Sequence, residues 1–338
     1  MGVPGSLQVQ TVLYGHRPRV VERWLAAVLA AAGRARAAGL VGAVAVSIGD
    51  CTVPPALDQA AIRRLGASAA AGSAAFSHEE LGANLGSAGG HNRLFAAAPA
   101  PPAALPPPAT LSPPTLPPPA RPPPASRPDW FLVLNPDATT SPGCIAALVS
   151  AMEDPTVGMA DARQVPFEHP KAYDLATGDT SWASGTCCLV RREVVDQTGG
   201  FDADTFFLHG DDVDLSWRAR ILGWRVRNVP WATVFHDKRV HPDGAMVAPA
   251  VETAQAAWIA LALPHKYGRP ELVAERLAEF RASPLPAQRE AAAEFDARRA
   301  AGRLPRPIEG ATAVAVFRGD HYGDHRFGDE EARLGPPV

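Results

Sequence analysis

Apolar positions in the first fifty residues change period twice. Residues 12–14 read as a short strand, residues 18–38 carry Val21, Leu25, Val28 and Leu29 at helical spacing, and residues 41–48 form an apolar run. A β-α-β opening of this kind predicts a parallel sheet covered on both faces, with ligands at the carboxyl ends of its strands. Tyr14 and residues 49–52 lie at those ends. Further along, residues 130–134 and 187–191 read as strands, and residues 145–152 and 213–222 as helices, the second opened by acidic residues. A strand-like run over 225–235 closes on His236, and helical signals follow at 251–263 and 271–281. The alternation predicts an α/β fold with a helical C-terminal extension. No internal repeat is present.

Composition divides this pattern. Residues 99–128 are dominated by proline, with Ala, Leu, Thr and Ser, which forbids helix or inner strand and favours an extended, exposed insertion. The tail from Gly302 is rich in Gly, Pro and charge, and its end is expected to be poorly ordered. The expected organisation is 1–98, 99–128 as a disordered insertion, 129–240, and a helical 241–338. A formal charge of -3 gives no basic field for nucleic acid. Cys51, Cys144, Cys187 and Cys188 lack CxxC spacing, and reduced thiols in a cytoplasmic protein fit them best. Residues 1–10 lack the regions of a secretory signal. Residues 24–46 are too polar for a spanning helix, so membrane contact is expected to be peripheral.

Four segments carry candidate chemistry. In residues 129–137 an apolar strand ends in Asn135, Pro136 and Asp137. A carboxylate at a strand tip can hold Mg²⁺ or Mn²⁺, which prefer oxygen ligands and leave positions open for phosphate; a plain turn is the alternative. Asp211 and Asp212 open a helix, where acidic residues complement the helix dipole. The dipole alone does not demand an adjacent pair, and a positioned carboxylate can take a proton from an attacking hydroxyl. His236 closes a strand and is either a surface residue or a metal ligand with Asp237 and Lys238 around it. Residues 84–93 read as a glycine-bearing loop in which Asn84, Gly86, Asn92 and Arg93 would contact base, ribose or diphosphate, or form a plain flexible loop. Its spacing matches neither a Walker loop nor GxGxxG.

Taken in order, these pieces resemble the family 2 inverting glycosyltransferases, in particular their rhamnosyltransferase-like and galactofuranosyltransferase-like members. The resemblance runs from about residue 12 to about residue 239. It is most specific in WASGTCCLVRR from Trp182, GGFD from Gly199, GDDVDLSWR from Gly210 and GWR from Gly223. It implies a GT-A type nucleotide-diphospho-sugar transferase fold with a mostly parallel central sheet, the nucleotide in the first half and the acceptor in the second. It also implies Asp137 and His236 as metal ligands, Asp212 as catalytic base with Asp211 in support, and Tyr14, Asn84 and Asn135 against the nucleotide. Ser184 and Gly185 would border the donor sugar.

The sequence departs from the family twice. The usual Asp-Asn-Gly-Ser after the second strand is replaced by residues 47–52, where Asp50 would substitute for the base-contacting Asp in a shifted register. The proline segment stands where the family has a helix and a strand. The function implied is transfer of a sugar, rhamnose or galactofuranose favoured, from a nucleotide-diphosphate donor to a glycan or lipid-linked glycan acceptor. A sugar-nucleotide-binding protein without turnover, a proline-segment interaction module and a nucleotidyltransferase are the alternatives.

Overall fold

The computed structural model describes residues 5–98, 128–238 and 249–326. Its centre is one eight-stranded sheet in the order β3-β2-β1-β4-β7-β6-β8-β5. The strands are β1 (Gly5–Leu13), β2 (Val41–Asp50), β3 (Ala75–Glu80), β4 (Trp130–Leu134), β5 (Ala138–Thr140), β6 (Val157–Val165), β7 (Cys187–Arg191) and β8 (Arg225–His236). β3, β2, β1 and β4 run parallel, as do β6 and β8, whereas β7 is antiparallel to both β4 and β6. Period-two alternation sorts β4 and β7 between two cores: Leu132, Leu134, Cys187 and Leu189 face one side, and Phe131, Val133, Cys188 and Val190 the other. The adjacent cysteines therefore point to opposite faces, and all four cysteines are free and buried.

The first face is covered by α1 (Pro18–Ala37), α2 (Gln59–Ala71) and α4 (Cys144–Ala151), through Trp24, Leu25, Val28, Leu65 and Leu148. The second face is covered by α3 (Gly86–Ala96), α5 (Arg192–Thr198) and α6 (Asp211–Ile221), through Phe95, Val194 and Leu215. A separate cluster joins α6 to α7 (Ala250–Lys266), α8 (Pro270–Ala282) and α9 (Pro286–Ala300), with Trp217, Trp258, Tyr267, Leu277 and Phe295 at its centre. Each of α1, α8 and α9 starts with a proline in its first turn, where the missing N–H is not needed.

The segment 84–93 is mostly helix, not the loop its glycines suggested. Asn84 Oδ1 accepts from the Gly86 N–H at 3.2 Å, forming a local turn that leads into α3. Gly90 lets the helix lie on β1: a Cβ there would stand 2.6 Å from Val12 Cγ1. Buried Gln8 donates to the Leu94 carbonyl and Gln10 to His91 Nδ1, so a polar row inside the core also ties β1 to α3. Glycine content here serves close packing rather than flexibility.

The tail is partly structured. Phe317 and Tyr322 pack edge-on against Trp217, so residues beyond Gly302 help close the C-terminal cluster. The proline segment over 99–127 and the end of the tail, 327–338, lie outside the described residues. Among the described residues no helix is long and apolar enough to cross a membrane.

Candidate active site

Two cavities share part of their walls, one of them at the carboxyl ends of β1 and β4. The smaller, about 280 Å³, is lined by Tyr14, Asn84, Gly86, Asn135, Asp137 and His236 among others. The larger, about 730 Å³, lies between the start of α6 and the α7–α8 pair, with Asp212, Lys171, Trp182 and Tyr322 on its wall. His209 borders both.

β8 pairs antiparallel with β5 so that His236 stands opposite Ala138, one residue beyond Asp137. His236 Nε2 lies 3.4 Å from Asp137 Oδ1, and no hydrogen bond satisfies that buried nitrogen. A lone-pair nitrogen and a carboxylate facing one another across a short gap is a donor set that suits a divalent cation. Among the described residues no cluster of three or more His, Cys, Asp or Glu forms; two protein ligands are enough for a cation whose remaining positions go to phosphate and water.

Asp212 is aimed by the chain entering α6. His209 and Gly210 both adopt left-handed backbone, φ 65° and 70°, and turn the chain sharply into the helix. Asp212 Oδ2 then accepts from the Gly185 N–H at 2.9 Å and Oδ1 from the Val213 N–H at 2.8 Å. A Cβ at Gly185 would stand 3.4 Å from Asp212 Cβ, so the loop lies in ordinary contact with that side chain. Asp211 turns the other way: it is 5% exposed, and burial first, then the charge of Asp212, pushes its pKa up to about 8. The Ser87 hydroxyl at the start of α3 hydrogen-bonds it.

Several residues expected in the site stand elsewhere. Asn92 exchanges hydrogen bonds with the Phe201 backbone, accepting from its N–H at 2.9 Å and donating to its carbonyl at 2.7 Å. Arg93 pairs with Glu79 on the surface. Neither borders a cavity, because α3 presents those positions away from it. Asp50 is 0% exposed, and its carboxylate accepts from the amides of Thr52, Ala56 and Leu57, so it shapes the loop after β2 and turns no oxygen outward. Ser184 is buried beneath the site, accepting from Gln164 Nε2 at 2.9 Å.

Sequence reasoning missed the buried polar groups that hold this arrangement. Asp161 on β6 accepts from Lys171 Nζ at 2.7 Å, the Ser184 N–H at 2.9 Å and Asn228 Nδ2 at 3.2 Å. Burial nevertheless raises its pKa, outweighing the Lys171 charge. Lys171 also donates to the Trp182 carbonyl and lies over that ring. His169 stands edge-on to Trp182, and burial lowers its pKa to about 4, leaving it neutral at pH 7. His169 and Lys171 come from an irregular segment without periodicity, where no sequence signal marks burial.

The chain is similar to known glycosyltransferases. Residues 172–246 match a family model described as glycosyltransferase like family 2. Over 152 residues, 34% of this chain and 49% of the relative, the sequence is 33% identical to an N-acetylglucosaminyl-diphospho-decaprenol L-rhamnosyltransferase of Mycobacterium tuberculosis. It is 29% identical over 158 residues to a pre-mycofactocin glycosyltransferase of the same organism, covering 41% of this chain and 33% of that one. The chain spans about half the length, or less, of these curated relatives. The crystal structure of GalNAc-T7 with UDP, GalNAc and Mn²⁺ superposes over 90% of this chain and 56% of its own, with a TM-score of 0.55 at 11% identity. Over part of its length the chain is thus similar to the family 2 glycosyltransferases, and it has the GT-A fold.

Proposed function

We propose that the protein is an inverting glycosyltransferase, in which the smaller cavity takes a nucleotide-diphosphate sugar and the larger takes the acceptor. The observation that carries the reading is the meeting of the two cavities at His209, with Asp137 and His236 on one side and Asp212 on the other. Rhamnose and galactofuranose are the favoured sugars, and a cell-envelope or lipid-linked glycan the favoured acceptor; the N-acetylglucosaminyl-diphospho-decaprenol L-rhamnosyltransferase relative supports rhamnose and a lipid-linked acceptor. The reading places the enzyme in the cytoplasm, in peripheral contact with the membrane that carries such acceptors.

Asp137 and His236 would hold Mg²⁺ or Mn²⁺, which supplies charge neutralisation for a diphosphate leaving group. Asp212 accepts the proton of the acceptor hydroxyl as its oxygen bonds to the anomeric carbon and the bond from that carbon to the diphosphate oxygen breaks. Attack from the face opposite the leaving group inverts the configuration, and no covalent enzyme intermediate forms. The N–H groups of Gly185 and Val213 keep the carboxylate fixed in orientation while leaving lone pairs for that proton. Asp211, kept protonated below about pH 8, adds no second charge beside it. Tyr14, Asn84 and Asn135 border the nucleotide.

The test is transfer or donor hydrolysis across a panel of nucleotide sugars with Mg²⁺ or Mn²⁺. Asp212→Asn is expected to lower turnover by roughly 10²–10⁴-fold while retaining nucleotide binding, and Asp137→Ala to lose both metal response and turnover. Full activity in Asp212→Asn would remove the base assignment. A wild type that binds nucleotide and turns over none of the panel would favour a binding protein without catalysis.

A further inference from the structure

Gln164, near the end of β6, is 5% exposed and has two partners. Its Oε1 lies 2.9 Å from His236 Nδ1, and its Nε2 donates to Ser184 Oγ at 2.9 Å. An amide oxygen only accepts, so the first contact requires a proton on Nδ1. A neutral imidazole carries one N–H, which leaves Nε2 with its lone pair directed into the gap before Asp137. Nε2 is the buried nitrogen that no hydrogen bond satisfies. Without a fixed amide acceptor behind the ring, the proton could move to Nε2 and donate across the 3.4 Å to the Asp137 carboxylate, closing the gap to any cation.

We propose that Gln164 is the positioning residue that locks His236 in the Nδ1–H tautomer and so makes Nε2 the metal-binding nitrogen. The assignment rests on the metal reading of Asp137 and His236 above. Gln164 is itself oriented from behind. Ser184, whose N–H donates to Asp161 at 2.9 Å, gives its hydroxyl proton to Thr186 Oγ1 at 3.4 Å, so its oxygen accepts from the Gln164 Nε2 and leaves Oε1 to face His236. Asp161 is in turn held by Lys171 at the wall of the larger cavity. The tautomer at the smaller cavity is thereby set by a continuous hydrogen-bonded row that begins at the larger one, an outer-shell arrangement of the kind that orients metal-bound histidines.

The experiment has a readout that needs no turnover. In metal-free wild-type protein at alkaline pH, where the ring is neutral, ¹⁵N-resolved NMR of His236 is expected to place the proton on Nδ1. A proton on Nε2 would overturn the proposal. Mn²⁺ binding, followed by calorimetry or by the Mn²⁺ spin-resonance signal, is then compared in Gln164→Leu and Gln164→Glu. Leucine removes the acceptor and is expected to weaken Mn²⁺ roughly 10–100-fold, whereas glutamate keeps an acceptor and should bind within a few-fold of wild type. Unchanged Mn²⁺ affinity in a folded Gln164→Leu would also overturn it. A wild type that binds no Mn²⁺ would refute the metal reading instead, with the NMR result still deciding what Gln164 does to the ring.

Discussion

Asp211 and Asp212 are adjacent in the chain and differ in everything else. Asp212 borders the larger cavity with its oxygens held by two amides, whereas Asp211 is buried toward Ser87 with a pKa raised to about 8. A carboxyl whose folded pKa lies above its unfolded value of 3.8 binds its proton more tightly in the native state. Its contribution to stability is therefore full below about pH 4 and is lost as pH rises toward about 8. Replacing Asp211 with Asn, which cannot ionise, should give a melting temperature whose advantage over wild type grows steadily from pH 5 to pH 8. Thermal melts across that range measure it, and a constant difference would mean that Asp211 is ionised in the folded protein. At this scale the sequence showed the acidic pair, Asp137 and His236, because turns and helix starts are local. It misplaced Asn92, Arg93 and Asp50, since which way a side chain faces depends on the neighbour it packs against: Phe201, Glu79 and its own loop.

Among the elements, α6 has two faces with separate duties. Its first turn offers Asp212 to the larger cavity, and Asp214, 0% exposed, is the buried post for the C-terminal helices. Lys266 at the end of α7 reaches Asp214 Oδ1 at 2.6 Å and Asp202 Oδ2 at 2.6 Å, Arg218 reaches Asp214 Oδ2 at 2.7 Å, and the Tyr267 hydroxyl donates to Asp214 Oδ1 at 3.0 Å. Removing one member of a buried ion pair leaves the other charge uncompensated, at a cost of about 3–5 kcal/mol. Lys266→Met should therefore destabilise by that order in urea unfolding and expose the 249–326 region to limited proteolysis before the sheet. A loss near zero would mean that apolar packing alone docks α7. Helices with clear periodicity, α1 and α7, were legible in the sequence; α3 was not. Its glycines weaken helix propensity, and the close approach to Val12 and the Asn84 turn that leads into the helix are what explain why the chain is helical there. Strand β6 also escaped notice, because Asp161 and Gln164 interrupt its apolar run with buried polar groups whose partners come from distant segments.

For the whole molecule, the boundary expected at the proline segment between a nucleotide half and an acceptor half falls inside both a cavity and the sheet. The smaller cavity draws Tyr14 and Asn84 from one side of the proline segment and Asp137 and His236 from the other. One sheet crosses the same boundary: β1 is hydrogen-bonded to β2 on one edge and to β4 on the other, with Leu7, Gln8, Val9 and Gln10 in register with residues 130–133. A chain ending at residue 98 would leave that edge of β1 unpaired and would uncover the face of Phe95 that meets Phe131 edge-on at 4.8 Å. The complementary chain from residue 128 would start with β4 lacking its parallel neighbour. Each fragment alone is therefore expected to show no cooperative thermal transition by circular dichroism. Mixed together, they should recover one, since the cut falls between elements and severs no strand. A sharp melt of the 1–98 fragment alone would show instead that the first half folds as an independent domain, and the shared β1–β4 register would then be a docking contact between two units.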